Sequence, residues 1–252
     1  MMDTEKFNWC LRAGDNTLVL SQRLSEWCGK GPALEEDMAL TNIALDLLGQ
    51  STLWLSYAAT IEAKDRDEDD LAFLRDAHDF RNVVLVEQPN GDYGYTLIRQ
   101  LYFDVWHALW LRSLLHSSDA HIAQIAEKSL KEVSYHVRRS SDLVIRLGDG
   151  SDESHARIQR SVNDLWMYSG ECFIDDELDK AIADRQIAPL PSGLREEWFT
   201  TIQRIFSAAT LSMPAKEAWM QQGGKQGRHT EHLGYLLAEM QFLQRAYPGA
   251  TW

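Results

Sequence analysis

The chain is short of cysteine, cation and long apolar runs, and each shortage excludes something. Its three cysteines, Cys10, Cys28 and Cys172, have no C-x-x-C spacing among them. An odd, sparse set argues against a disulfide framework and fits a reducing compartment. Lys and Arg number 25 against 38 Asp and Glu, a formal net charge of -13. A surface of that sign repels nucleic acid and anionic membranes, so neither is an expected partner. No apolar run approaches the roughly 20 residues of a membrane-spanning helix. The first eight residues are polar and charged, unlike a secretory leader, so the expected location is cytoplasmic. There is no G-x-S-x-G nucleophile elbow, no G-x-G-x-x-G dinucleotide turn and no P-loop order of glycine and lysine. No repeat or low-complexity tract interrupts the chain.

What is present is helical. Hydrophobic residues make up 44% of 252 and charged residues 25%, the balance of a globular protein with a sizeable core. Apolar residues recur at helical spacing almost throughout, and the prolines and glycines cluster in turns. The spacing predicts helices at about 11–28, 33–62, 71–79, 94–115, 120–147, 152–169, 175–184, 194–211 and 230–247. Val83-Val84-Leu85-Val86 resembles a strand, but a lone strand has nothing to pair with, so helical or extended packing is expected. Ser118 or Asp119 is placed to cap the helix that follows. Trp9, Trp27, Trp54, Trp106, Trp110 and Trp166 read as core, with some available for an interface. Two long helical hairpins joined by a long link give the expected fold: all-α, a ferritin-like four-helix bundle with additional C-terminal helices. The chain 1–252 is expected to form one domain, with the core bundle at about 11–147 and a helical appendage at about 151–252.

Ferritin-like di-iron proteins project one Glu from each of two helices and a Glu-x-x-His pair from each of the other two. Two acids here stand in otherwise apolar stretches, Asp46 and Asp104. Reflecting Asp46 through a turn near Gly31 reaches about Asn16. Reflecting Asp104 through a turn near Ser118 reaches about Glu132. The positions three residues after Asp46 and Glu132, where histidines would stand, are Gly49 and Tyr135. With both histidines missing and one acid replaced by Asn16, the layer reads as the remnant of a metal site that cannot hold two irons. No residue is assigned a catalytic or metal-binding role. His136 and His107 flank the layer, and Asp104-x-x-His107 leaves a single-metal site open; a histidine that is merely hydrogen-bonded is the plainer alternative. Arg12, Arg139 and His136 are candidates to compensate buried acids.

Four stretches carry a resemblance: Gly14-Asp15-Asn16-Thr17-Leu18-Val19-Leu20-Ser21-Gln22-Arg23-Leu24, Asp46-Leu47-Leu48-Gly49-Gln50, Val86-Glu87-Gln88-Pro89-Asn90-Gly91 and His229-Thr230-Glu231-His232-Leu233-Gly234. Together they resemble the C subunits of bacterial phenylacetyl-CoA epoxidases (ring 1,2-monooxygenases), over nearly the whole chain. The resemblance implies a structural subunit that pairs with and stabilises a catalytic A subunit, in a complex that epoxidises the ring of phenylacetyl-CoA during aerobic phenylacetate catabolism. It implies no cofactor in this chain and a di-iron centre in the partner. A homodimer is the form available to the chain alone. The rival from another class is a catalytic ferritin-like metalloenzyme in its own right. A third reading rests on Gly223-Gly224-Lys225-Gln226-Gly227-Arg228 before a helix: Lys225 and Arg228 could meet a CoA phosphate, or the loop could be a plain connection.

Overall fold

The computed structural model describes residues 2–250, and among them there are helices and turns and no strand. In chain order the α-helices are α1 (Thr4–Ser25), α2 (Leu34–Glu62), α3 (Glu68–Phe73), α4 (Tyr93–Leu114), α5 (Ala120–Gly148), α6 (Asp152–Ser169), α7 (Glu177–Asp184), α8 (Arg195–Ala208), α9 (Glu231–Met240) and α10 (Phe242–Ala246). The fold class is all-α and ferritin-like, as the spacing predicts. No helix among the described residues is long and apolar enough to cross a membrane.

Part of the acidic surplus is spent on starting helices. The side chains of Asp3, Asp67, Asp92, Asp119, Ser151 and Asp176 accept hydrogen bonds from the first-turn amides of α1, α3, α4, α5, α6 and α7. Each such cap contributes about 1 kcal/mol, and a carboxylate there also meets the positive end of the helix dipole. Asp119, not Ser118, caps α5; Ser118 donates to the Arg185 carbonyl.

The chain forms two compact units. One holds the residues before Asn90 together with those after Gln222: α1, α2, α3, α9 and α10. The other spans Asn90–Gln222 and holds α4 to α8. The segment expected as one C-terminal appendage is therefore shared. Residues 151–222 pack with α4 and α5, and the tail after Gln222 returns to the first hairpin. The expected helix at 230–247 is broken at Gln241, whose amide nitrogen donates to the Ala72 and Arg75 carbonyls at 3.0 Å each.

In the first unit α1 and α2 form the hairpin, and α1 is buried without a break from Trp9 to Ser21. A helix enclosed on every side takes polar residues inside with the apolar ones, and those need partners. Trp9 and Trp54 meet edge to face at 5.8 Å. Val83, Val84, Leu85 and Val86 are all buried in a run of turns, neither strand nor helix. In the second unit α4 and α5 form the hairpin, with α6 and α8 packed on it. Tyr102 is the hub of an aromatic cluster with Trp166, Trp198 and Phe206, centroids 5.6 to 6.1 Å away. Trp106 and Trp110 stack at 5.7 Å. Of the six tryptophans expected in the core, five are buried and Trp27 is half-buried.

Candidate functional site

The second unit carries a polar seam between α4 and α5. Gln100, Asp104 and His107 recur at helical spacing on α4, and Ser129, His136 and Ser140 on α5, all buried. Asp104 accepts hydrogen bonds from Gln100 Nε2 at 2.6 Å and from Ser140 Oγ at 2.9 Å. Burial pushes its carboxyl up from 3.8 to about 6; the charges of His136 and Arg139 and the two hydrogen bonds pull the other way and lose. Burial, with His136 nearby, lowers His107 from 6.5 to about 3, so its imidazole is neutral at any working pH. Gln100 Oε1, Trp106 Nε1, His107 Nδ1 and Ser129 Oγ are buried without a hydrogen-bond partner.

The residues of the expected layer are placed as follows. Asp104 and His136 are buried and interact through charge. Glu132 is half-buried. Tyr135 is exposed, with the Arg138 guanidinium over its ring at 5.6 Å. In the first unit Asp46 is half-buried and Gly49 is exposed. Both i+3 positions thus face away from their helices' buried sides. Arg139 does attract Asp104, as expected of a compensating cation, and its guanidinium donates to the Tyr93 hydroxyl. Arg12 is buried in the first unit.

Asn16 has a different task. Its Oδ1 accepts from the Val83 amide at 2.8 Å and so anchors the buried 83–88 turn. The neighbouring Asp15 is fully buried and paired with Arg75 through both carboxylate oxygens; it also accepts from the Arg81 amide at 2.8 Å. Arg75 lies over the Phe80 ring at 4.3 Å. A second buried carboxylate, Glu87, takes the Thr230 amide at 2.6 Å, Asn82 Nδ2 at 3.1 Å and His229 Nδ1 at 2.9 Å. His229 Nε2 lies 3.0 Å from the Phe80 carbonyl. With acceptors at both ring nitrogens, His229 is held as the imidazolium. Burial opposes that charge, but the Glu87 hydrogen bond and charge and the Phe80 carbonyl outweigh it and raise the pKa above 6.5. Arg23 donates to the Glu87 and His232 carbonyls. Three of the four stretches that carry the family resemblance therefore meet in one buried network. Sequence spacing gives no hint of it, because Asp15–Arg75 and Glu87–His229 are 60 and 142 residues apart.

The glycine-rich loop is built for close packing. A side chain at Gly224 would stand 2.2 Å from the Asn82 carbonyl oxygen, and one at Gly227 2.5 Å from that of His78. Gly227 also has φ of +77°. Lys225 is buried and Arg228 is exposed. The helix that follows starts where expected, with Thr230 as its N-cap.

Among the described residues no three His, Cys, Asp or Glu side chains gather as a metal site requires. The groups around Asp104 are an amide, a hydroxyl, an imidazole and a guanidinium, a set that does not fit two octahedral irons. A protein-family model described as phenylacetic acid catabolic protein matches residues 1–252. The chain belongs to this family. It is 49% identical to the C subunit of the 1,2-phenylacetyl-CoA epoxidase of Escherichia coli (strain K12), over 97% of this chain and 98% of that protein. Membership in the phenylacetic acid catabolic protein family thus spans both units, the polar seam of one and the buried network of the other.

Proposed function

We propose that this chain is the structural, non-catalytic subunit of a multi-subunit phenylacetyl-CoA 1,2-epoxidase, working in the cytoplasm in aerobic phenylacetate catabolism. It pairs with and stabilises a catalytic subunit that carries the di-iron centre. The observation that supports this reading is the neighbourhood of Asp104: one carboxylate raised to about 6, flanked by Gln100 and Ser140. A metal ligand must be deprotonated and met by further anionic or imidazole donors. The relative's description as one subunit of an epoxidase supports membership of a complex.

The test is iron per chain after anaerobic reconstitution with ferrous iron, on the protein alone and after mixing with the family's di-iron subunit. The expected ratio is near zero alone, with iron appearing only in the mixture. A ratio near one or two alone would replace this reading with the single-chain metalloenzyme. The CoA-phosphate role of the Lys225 to Arg228 loop is a separate part of the proposal. It expects Arg228→Ala to weaken binding of CoA to the assembled complex, and an unchanged affinity removes it.

A further inference from the structure

The outward face of α2 is unlike a solvent-facing helix surface. Leu34, Met38, Leu45 and Leu48 are 73%, 57%, 60% and 38% exposed, at spacings that place them on one side of the helix. From 38 to 61 the helix carries one charged residue, Asp46. An exposed helix normally alternates its buried stripe with charged residues, and a contiguous exposed apolar face marks an interaction site. Gly49 lies among these leucines. It is exposed, and a Cβ there would meet nothing within 4 Å. A glycine inside a helix costs about 1 kcal/mol relative to alanine. Nothing in the chain's own packing offsets that, whereas a second helix crossing closely at this point would.

Charge decides what kind of helix. α2 contains no Lys or Arg. Its first turn bears Glu35, Glu36 and Asp37. Beyond its other end, Lys64 and Arg66 are both taken by the buried Glu62, at 3.0 and 2.6 Å. The run that follows is acidic: Asp67, Glu68, Asp69 and Asp70. The apolar stripe, Leu34 to Leu48, therefore has Glu35, Glu36 and Asp37 at its start, Asp46 within it and no cation of α2 beside it. A second copy laid along it brings no Lys or Arg of its own α2 to these acids. We infer that the face receives a helix of a different subunit, with small or apolar side chains at its middle and Lys or Arg set against the Glu35 to Asp37 end. The inference rests on the multi-subunit reading above and names its surface; the occupant is the catalytic partner of that complex.

The test uses the full chain and the family's di-iron subunit, measured by light scattering and titration calorimetry. Leu45→Glu combined with Leu48→Glu should weaken the hetero-complex by about 100-fold or more. The thermal midpoint of the isolated chain should hold, since both side chains already face solvent. Gly49→Leu should split the two readouts: the isolated chain melts higher, and the complex is at least 10-fold weaker. Glu35→Lys with Glu36→Lys should lower affinity and flatten its dependence on salt. Wild-type binding that survives the double glutamate variant unchanged overturns the surface and leaves the multi-subunit reading intact. A wild-type chain that is a dimer alone, dissociated by the same variant, overturns the choice of occupant in favour of a second copy. Failure of the wild-type chain to bind the di-iron subunit at all overturns both.

Discussion

The two units bury carboxylates in opposite ways. In the first, Asp15 is clasped by the Arg75 guanidinium and Glu87 by the His229 imidazolium, so each buried negative charge has a buried cation in contact. In the second, Asp104 has an amide, a hydroxyl and the charges of His136 and Arg139, and burial still raises its carboxyl to about 6. A fully paired charge is a staple that cannot be half removed. A carboxylate whose burial outweighs its partners is a standing cost. The first arrangement belongs to structure. The second keeps an interior acid that its partners do not fully compensate.

The comparison breaks first at Arg75. Arg75→Ala leaves Asp15 buried and unpaired, and unfolding in denaturant should show a loss of about 3–5 kcal/mol. A loss under 1 kcal/mol would mean that water reaches Asp15 and that the staple is not closed. His229→Gln comes next, at roughly 1.5–3 kcal/mol for hydrogen bonds to a charged group. Its pH dependence sharpens the point. A histidine whose pKa is raised by folding adds stability that is fully present below about 6.5 and is lost as pH rises through the folded value. The gap between wild type and variant should therefore narrow on going from pH 6 to pH 9, and a constant gap would show that the ring is not held as the cation. Asp104→Asn should act with the opposite sign. The carboxyl rises from 3.8 to about 6 on folding, so the ionised group costs on the order of 1–3 kcal/mol at neutral pH. The asparagine variant should be more stable at pH 8, with the gain fading toward pH 4. Destabilisation at pH 8 would mean that Arg139 and His136 outweigh the burial of Asp104, and would make the two units alike.

The sequence makes the helices legible and the side-chain meetings much less so. α2 and α6 fall within a residue of their expected ends, because apolar spacing and turn residues are local signals. α1 begins at Thr4, well before the expected start near Leu11, because Asp3 caps it inside a stretch that reads as a polar tail. The reflection that sets Glu132 opposite Asp104 compares backbone depths. It assumes a turn centred near Ser118, and an error in that centre shifts the paired residue by twice as much. Asp104 meets Ser140, eight residues beyond Glu132. The Asp15–Arg75 and Glu87–His229 pairs join segments with no local pattern in common, and only the folded chain shows that Asp15, Glu87 and His229 come together.

Asp104 and His107 also settle a matter of proton inventory. Between pH 3.8 and about 6 the folded chain carries a proton on Asp104 and none on His107, whose pKa is about 3. Unfolded, the same two residues carry one proton on the imidazole, whose ordinary value is 6.5, and none on the carboxyl. The count is the same on both sides. Unfolding in this window relocates a proton along α4 without exchanging one with solvent, so mild acidification neither strengthens nor weakens the second hairpin through this pair.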